Sequence, residues 1–202
     1  MKNVLLSAVS ILLLAGCSTT TPAINEYTVF PFYAHQNSPT GRDSLSLKLM
    51  PTKSIASLAS KKIYYLYDGG QTGAYLYSRW SDTPANMIER CLSFSLQNRN
   101  LFKALLPAAS GASADRTLES DLHAFYHRFH EDGTNEGYID ITYRLIESKS
   151  KHVIASKRFV ITSPASSADA SGGVSALSDA TRRLCDESAL WLETVSASEK
   201  KP

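Results

Sequence analysis

Apolar and polar residues follow three patterns along this chain, and each predicts a different kind of segment. Residues 4–15 are almost entirely apolar, which is about the length of a signal-peptide core and too short for the ~20 residues of a spanning helix. Apolar residues at spacings of three and four predict two amphipathic helices, at residues 83–98 and 174–195. Residues 44–50 alternate leucine with polar residues, which predicts a half-buried strand.

The rest of the chain is rich in β-forming residues. Two such runs flank Asp68-Gly69-Gly70-Gln71-Thr72-Gly73, a glycine-rich sequence that predicts a hairpin between residues 61–67 and 74–80. Further strands are predicted at residues 101–106, 117–129, 138–147 and 153–162, and one helical turn at residues 55–59. The predicted fold class is α+β, with a mixed, largely antiparallel sheet of six or so strands packed with two long helices as a layered α/β sandwich.

The composition divides the chain into four segments. We expect a signal peptide at residues 1–16, a lipidated N-terminus and tether at 17–43, one domain at 44–195 and a disordered tail at 196–202. Within the domain, the Ser, Ala and Gly of residues 164–173 predict a linker before the last helix. The aromatic residues between Tyr27 and Tyr33 leave an alternative open, in which part of the tether is a strand laid on the domain.

The end of the apolar leader carries the first chemical signal. Leu14-Ala15-Gly16-Cys17 is followed by polar residues, and this sequence resembles a bacterial lipobox. The Cys17 thiol would receive a diacylglycerol, and acyl chains such as palmitate would hold the mature protein at a membrane. Ser18 in place of Asp implies, by resemblance to Gram-negative lipoproteins, export to the outer membrane. The alternative is a coincidental cysteine in an ordinary signal peptide.

Charge and composition exclude two classes of protein. The 202 residues are 43% hydrophobic, which is too high for intrinsic disorder. With 21 Lys+Arg against 19 Asp+Glu, the net charge of +2 does not predict a nucleic-acid binder. Removing the leader removes only the charge of Lys2, so the mature protein is nearly neutral.

Cys91 and Cys185 are the two cysteines that remain besides Cys17. In an oxidising compartment they are candidates for a disulfide that would close a loop of nearly a hundred residues. The alternative is that both are small apolar core residues on the two helices. The sequence leaves both interpretations open.

Candidate catalytic and metal-binding residues are few. His123, His127 and His130 lie in a predicted strand, where the first two would share one face and the third would lie on the other. We therefore expect solvated histidines and no metal site. The residues at 111–115 lack the closing glycine of a nucleophile elbow, and the glycines at 69–73 lack the end of a phosphate-binding loop. The sequence supports no catalytic residue and no cofactor.

Aromatic residues are concentrated on the predicted hairpin. Because they occur on both of its faces, some must pack in the core and the others are candidates for a partner interface. The candidates are Tyr65, Tyr75, Tyr77 and Trp80.

Several diffuse patterns occur in a fixed order. They are Ala74-Tyr75-Leu76-Tyr77-Ser78-Arg79-Trp80-Ser81-Asp82-Thr83-Pro84, then Met87, Ile88, Leu92 and Leu96, then Asp115-Arg116-Thr117-Leu118-Glu119, Ala155-Ser156-Lys157-Arg158-Phe159 and a closing helix at 174–191. This order resembles the ABC-type transport auxiliary lipoprotein family, which includes the paraquat-inducible protein C lipoproteins. The resemblance covers about residues 45–192 and departs at the front, where this chain is longer before its first strand.

The resemblance implies a non-catalytic, periplasm-facing outer-membrane lipoprotein. Its partners would be an MCE-domain protein and ABC transporter components of an intermembrane lipid transport system, and it would form a homo-oligomer, such as a ring at the tip of an MCE tunnel. One alternative is a stand-alone carrier of a lipid or other hydrophobic ligand, which needs an apolar cavity larger than ~300 Å³. Another is a lipid-anchored hydrolase, which needs a nucleophile with a base in reach.

Overall fold

The structure, a computed structural model, describes residues 22–29 and 44–198. The expected signal peptide, Cys17, most of the expected tether and the last four residues lie outside the described residues. The described elements are β1 (Asn25–Tyr27), β2 (Ser46–Leu49), β3 (Lys53–Ser54), a 3₁₀ turn (Ala56–Ala59), β4 (Lys62–Tyr67), β5 (Thr72–Trp80), α1 (Pro84–Asn98), β6 (Ala104–Pro107), β7 (Arg116–Phe129), β8 (Asn135–Glu147), β9 (Val153–Pro164) and α2 (Ala170–Ser198).

The sheet is built around the long strand β7. Along one edge, β7 pairs antiparallel with β8, which pairs antiparallel with β9, as the alternating pattern of this region predicts. Along its other edge, β7 pairs in turn with β2, β3 and β4, all parallel. Strand β6 pairs with β2 and extends the sheet on that side. On the other side, β5 pairs antiparallel with β4, and β1 pairs parallel with the end of β5. The prediction of a mixed, largely antiparallel α+β fold is confirmed.

Two helices cover the sheet and enclose the core. Helix α2 packs on β7, β8 and β9, and α1 packs on α2. Helix α1 begins as its sequence predicts, because the Thr83 hydroxyl accepts a hydrogen bond from Asn86 N (3.4 Å) and Pro84 occupies the first turn. The buried side chains include Leu47, Ile63, Ile88, Phe125, Ile139 and Leu184.

Helix α2 begins four residues earlier than predicted, so the linker expected at 164–173 is wrong over its last four residues. The Asp169 carboxylate accepts a hydrogen bond from Gly172 N (2.9 Å) and caps the first turn. Pro164, at the front of the same linker, is the last residue of β9. The helix also continues to Ser198, into the segment expected to be a disordered tail.

Several predicted strands have different limits in the structure. Strand β6 begins at Ala104 instead of residue 101, because Leu101 and Phe102 turn into the core directly after α1. Each of the seven segments predicted as strands forms one, and β1 and β3, which are too short to leave a period in the sequence, raise the count to the nine strands of the described residues. Strand β1 lies inside the expected tether and pairs parallel with the end of β5. At these residues the chain therefore forms a strand on the domain.

A β-bulge changes which histidines share a face of β7. Between the pairs Leu122–Ile141 and Ala124–Asp140, β7 contains one residue more than β8. Because one extra residue reverses the alternation of side chains, His123 is exposed and His127 is buried. The prediction that these two histidines share a solvated face is therefore wrong.

The cysteines of the two helices lie in the core between α1 and α2. Cys91 Sγ lies 3.8 Å from the carbonyl oxygen of Thr181, and Cys185 Sγ lies 3.9 Å from that of Ile88. The helices thus bring both thiols to one buried contact region. A disulfide between them stays a prediction.

Two further observations concern the described residues. No helix within residues 22–29 and 44–198 is both long enough and apolar enough to cross a bilayer. Within the same residues, no group of three or more His, Cys, Asp or Glu side chains is arranged to hold a metal ion.

Candidate contact surface on the β4–β5 hairpin

An exposed group of five aromatic rings and one leucine lies where the β4–β5 hairpin meets the end of β7. We call it the aromatic surface, and it consists of Tyr65, Tyr67, Tyr75, Leu76, Tyr77 and Phe129. Leu76 is 82% exposed, Tyr77 52% and Tyr67 44%. The six side chains border an open depression of about 380 Å³. Large exposed apolar side chains in one patch are typical of an interaction site.

The rings of this surface hold one another in place. Tyr65 packs edge-on against Tyr75, with ring centroids 5.3 Å apart, and against Phe129 at 6.3 Å. Tyr67 stacks on Phe129 at 5.1 Å. Such aromatic contacts stabilise by about 0.5–1.5 kcal/mol each beyond the burial of area. The surface is therefore preformed in this chain.

An irregular sheet register exposes the centre of β5. Between the pairs Lys62–Arg79 and Tyr64–Ala74, β5 contains three residues more than β4. On its other side, β5 pairs with β1 only through its last three residues. Within the described ranges, residues 75–77 therefore have no strand partner, and both faces of this short segment carry large apolar side chains.

The buried His127 holds the side chain of Tyr75 in place through a hydrogen bond. His127 is fully buried; its Nδ1 accepts a hydrogen bond from Tyr75 Oη (2.7 Å) and its Nε2 donates one to Asn135 Oδ1 (2.7 Å). Burial lowers the pKa of His127, although the Asn135 hydrogen bond and the Asp169 carboxylate oppose this shift. Burial raises the pKa of Tyr75 to about 12. Both groups are therefore neutral near pH 7, and their hydrogen bond holds the ring of Tyr75 in place.

Glycines let α2 approach this network closely. A Cβ atom at Gly173 would lie 2.4 Å from His127 Nδ1, and one at Gly137 would lie 2.6 Å from backbone atoms of Ala176 and Leu177. Gly137 is also the cross-strand partner of His127 in β8. The first turns of α2 thus pack directly on His127 and on its cross-strand partner Gly137. Only residues without a Cβ atom allow such a close approach.

The charged groups next to the aromatic surface are paired with one another. Asp68, in the hairpin turn, contacts Arg128 at 2.8 Å and His130 Nδ1 at 3.0 Å. The His130 hydrogen bond and then the Arg128 hydrogen bond lower the pKa of Asp68, and the Asp68 hydrogen bond raises the pKa of His130. Glu26 and Arg79, beside β1, form a second pair at 2.8 Å. Each basic group of these pairs therefore has an acidic partner, and Asp169, whose charge acts on Tyr75, is a further acidic group at this end.

The structure brings three of the four predicted interface residues together and separates the fourth. Tyr65, Tyr75 and Tyr77 belong to the aromatic surface, whereas Trp80 is fully buried and packs on Phe125 with centroids 5.6 Å apart. Because β1 and the core cover Trp80, its assignment to an interface is corrected. Tyr67, Leu76 and Phe129 are additions to the predicted set. The sequence indicates Leu76, because apolar residues occur on both faces of β5. It does not indicate Phe129, which comes from a strand distant in the chain.

Two larger depressions are lined by both charged and apolar residues. One of about 740 Å³ includes Lys48, Glu119, Lys149 and Lys151 among its lining residues, and one of about 480 Å³ includes Asp82, Glu89 and Arg90. Both are open to solvent. Inside the core, a cavity beside Tyr143 has a volume of only about 10 Å³. These spaces do not match the enclosed apolar cavity that a lipid carrier needs.

Comparison with solved structures supports the fold. Protein XCC0632 from Xanthomonas campestris, crystallised as a DUF330 protein, has a TM-score of 0.78 at 18% identity, covering 88% of this chain and 100% of that chain. An uncharacterized protein has a TM-score of 0.62 at 14% identity, covering 84% of this chain and 99% of its own. Hypothetical protein CT253 from Chlamydia trachomatis has a TM-score of 0.54 at 10% identity, covering 77% and 99%. At such identities these likenesses show the fold alone.

Sequence comparison gives the family. No curated protein matches the chain significantly. The model of the ABC-type transport auxiliary lipoprotein component matches residues 27–189. This range includes every element from β2 to β9 and most of α2. This agrees with the order of motifs in the sequence. The chain therefore belongs to the family of ABC-type transport auxiliary lipoprotein components.

Proposed function

We propose that this protein is a non-catalytic, lipid-anchored accessory subunit of an MCE/ABC-type system that transports lipids between the two membranes. It is anchored through Cys17 in the outer membrane and faces the periplasm. The observation that carries the proposal is that one chain combines a sequence resembling a lipobox with a domain of the ABC-type transport auxiliary family. An anchor joined to a domain of this family suits a protein that acts by contact.

The form of the domain supports a contact role over the two alternatives. A stand-alone carrier needs an enclosed apolar cavity. The two larger depressions are open and partly lined by charged residues, and the depression at the aromatic surface is also open. A hydrolase needs a nucleophile and a base within hydrogen-bond reach. The buried histidine, His127, is instead held by Tyr75 and Asn135, which positions a surface residue. Assembly with an MCE-domain protein, and with further copies of this chain, belongs to the same proposal.

A genetic test distinguishes an accessory subunit from an independent lipoprotein. Deleting this protein, deleting the ATPase of the transporter, or deleting both should change the lipid composition of the outer membrane equally, because one pathway is lost in each strain. Mass spectrometry of separated membranes measures this composition, and re-expression of the wild-type chain is the control. Additive changes in the double deletion would contradict the proposal.

A further inference from the structure

We infer that the aromatic surface rests on the lipid bilayer in which Cys17 is anchored, so that the domain contacts the membrane twice. This inference rests on the lipid anchor of the proposed function, and it names the occupant of the surface described above. The sequence alone indicates a protein interface at Tyr65, Tyr75 and Tyr77. The position of β1 favours lipid.

Strand β1 sets the direction from which the anchored end of the chain approaches. It runs parallel to β5, with Asn25 beside Ser78 and Tyr27 beside Trp80. Residues 22–24 therefore lie toward the part of β5 that carries Leu76 and Tyr77. Ile24, the residue just before β1, is 54% exposed and adds an aliphatic side chain at this end.

The length of chain before β1 keeps the anchor near this end. Cys17 precedes Ile24 by seven residues. Even a fully extended chain of that length spans at most about 25 Å, since each residue adds about 3.3–3.6 Å. The acyl chains must enter the bilayer within this distance of Ile24, so the end of the domain that bears the aromatic surface is the one held close to the membrane.

The chemistry of the exposed side chains suits the boundary between lipid headgroups and acyl chains. Leu76 is the most exposed of the large apolar side chains described, and it lies between Tyr75 and Tyr77. Tyrosine has an apolar ring and a polar hydroxyl, and for this reason it is enriched where one end of a side chain is apolar and the other is wet. Leu76 would enter the acyl region while the tyrosine hydroxyls stay among the headgroups.

The paired charges predict how this contact depends on salt and lipid. Arg128 is paired with Asp68, His130 with Asp68 and Glu136, and Arg79 with Glu26, so none of these basic groups lacks an acidic partner. Lys61 and Lys62, the lysines of the hairpin region, lie at the opposite end of β4 from the turn. Attraction to anionic lipids requires unpaired basic residues near the bilayer. The contact should therefore form on zwitterionic lipid and persist at high salt.

This geometry also assigns an orientation to the domain. Acyl chains alone limit the distance between the domain and the membrane, whereas a second contact fixes which face points away. The start of β7, where Asp115 accepts hydrogen bonds from the backbone and hydroxyl of Ser46, lies at the opposite end of the sheet. That end would point into the periplasm, toward protein partners.

The test uses the full lipidated chain in phosphatidylcholine vesicles, with a fluorophore attached to one introduced cysteine. Leu76→Cys probes the surface, and Leu190→Cys is the matched control, because Leu190 is an exposed leucine on α2 at 49%. Cys17 carries lipid, and Cys91 and Cys185 are buried. Gln71→Cys, in the hairpin turn, is a second probe that leaves all six residues of the surface intact.

We expect aqueous iodide to quench the label at position 76 about three-fold less than at position 190, and nitroxide on shallow lipid positions to quench it more. Position 71 should follow position 76, and about 0.5 M salt should change neither result. Equal quenching at the three positions would overturn the inference. Protection of position 76 only after a transporter subunit is added would also overturn it, because the occupant would be protein. Failure of every variant to float with vesicles would instead contradict the anchor of the proposed function.

Discussion

Replacing Gly137 with alanine should lower the midpoint of thermal unfolding by roughly 2–12 °C. The new Cβ atom would lie 2.6 Å from the backbone of Ala176 and Leu177, and backbone atoms of a packed helix cannot rotate away. Overpacking of this kind costs about 1–3 kcal/mol, and a domain of this size loses about 2–4 °C per kcal/mol. Circular dichroism during heating measures the midpoint.

The matched control for this substitution is Gly111→Ala. Nothing lies within 4 Å of a Cβ atom at Gly111, in the loop before β7, so its unfolding midpoint should stay within about 2 °C of the wild type. Equal midpoints for the two variants would show that α2 does not pack on β8 as closely as described. Since α2 also covers His127, the Gly137 variant should further loosen the support of Tyr75.

Replacing Cys17 with alanine should move the protein from the membrane fraction into the periplasm almost completely. Each buried acyl methylene contributes about 0.8 kcal/mol to membrane attachment, so a chain without acyl groups loses most of its binding free energy for the bilayer. The aromatic surface alone exposes too few apolar side chains to replace them. Fractionation followed by immunoblotting measures the distribution.

An uncleaved leader is a separate means of membrane retention, so this experiment needs a second variant. In that variant, a cleavable signal peptide without a lipobox precedes Ser18. It should be soluble in the periplasm, and the wild-type chain should be in the membrane pellet. If this second variant stays in the pellet at the wild-type level, the assignment of Cys17 as the anchor is wrong.

The regular parts of the fold can be predicted because buried and exposed side chains alternate regularly, so apolar residues recur at fixed spacings in the sequence. Ile139, Ile141 and Tyr143 alternate with polar residues along β8, and all three are buried. The hairpin is legible from its glycines, of which Gly70 adopts a positive φ of 83°. Such signals depend on neighbours in the chain and need no tertiary information.

Sequence and structure differ where distant residues decide the local conformation. The bulge at His123 exists only through the register of β7 against β8, and it reverses the face of His127. The glycines of α2 predict a linker, yet Gly173 is needed where the helix meets His127. The predicted exposure of Trp80 is wrong because its burial depends on β1 and on Phe125.

The aromatic surface is predictable in part for the same reason. The concentration of tyrosines on one hairpin indicates that some rings remain exposed, and Tyr65, Tyr75 and Tyr77 are among the residues that form the surface. Phe129 joins them from β7, because β4 pairs parallel with the end of that strand. No local pattern indicates this neighbour.

The most direct measurement of the proposed accessory role is the set of proteins that copurify with this chain after cross-linking in intact cells. The wild-type lipoprotein should recover an ABC transporter component and an MCE-domain protein, and the variant without the lipobox should recover them at a much lower level. Mass spectrometry identifies the partners and compares their amounts. Recovery of unrelated envelope proteins, with no ABC or MCE component in either sample, would contradict the proposed function.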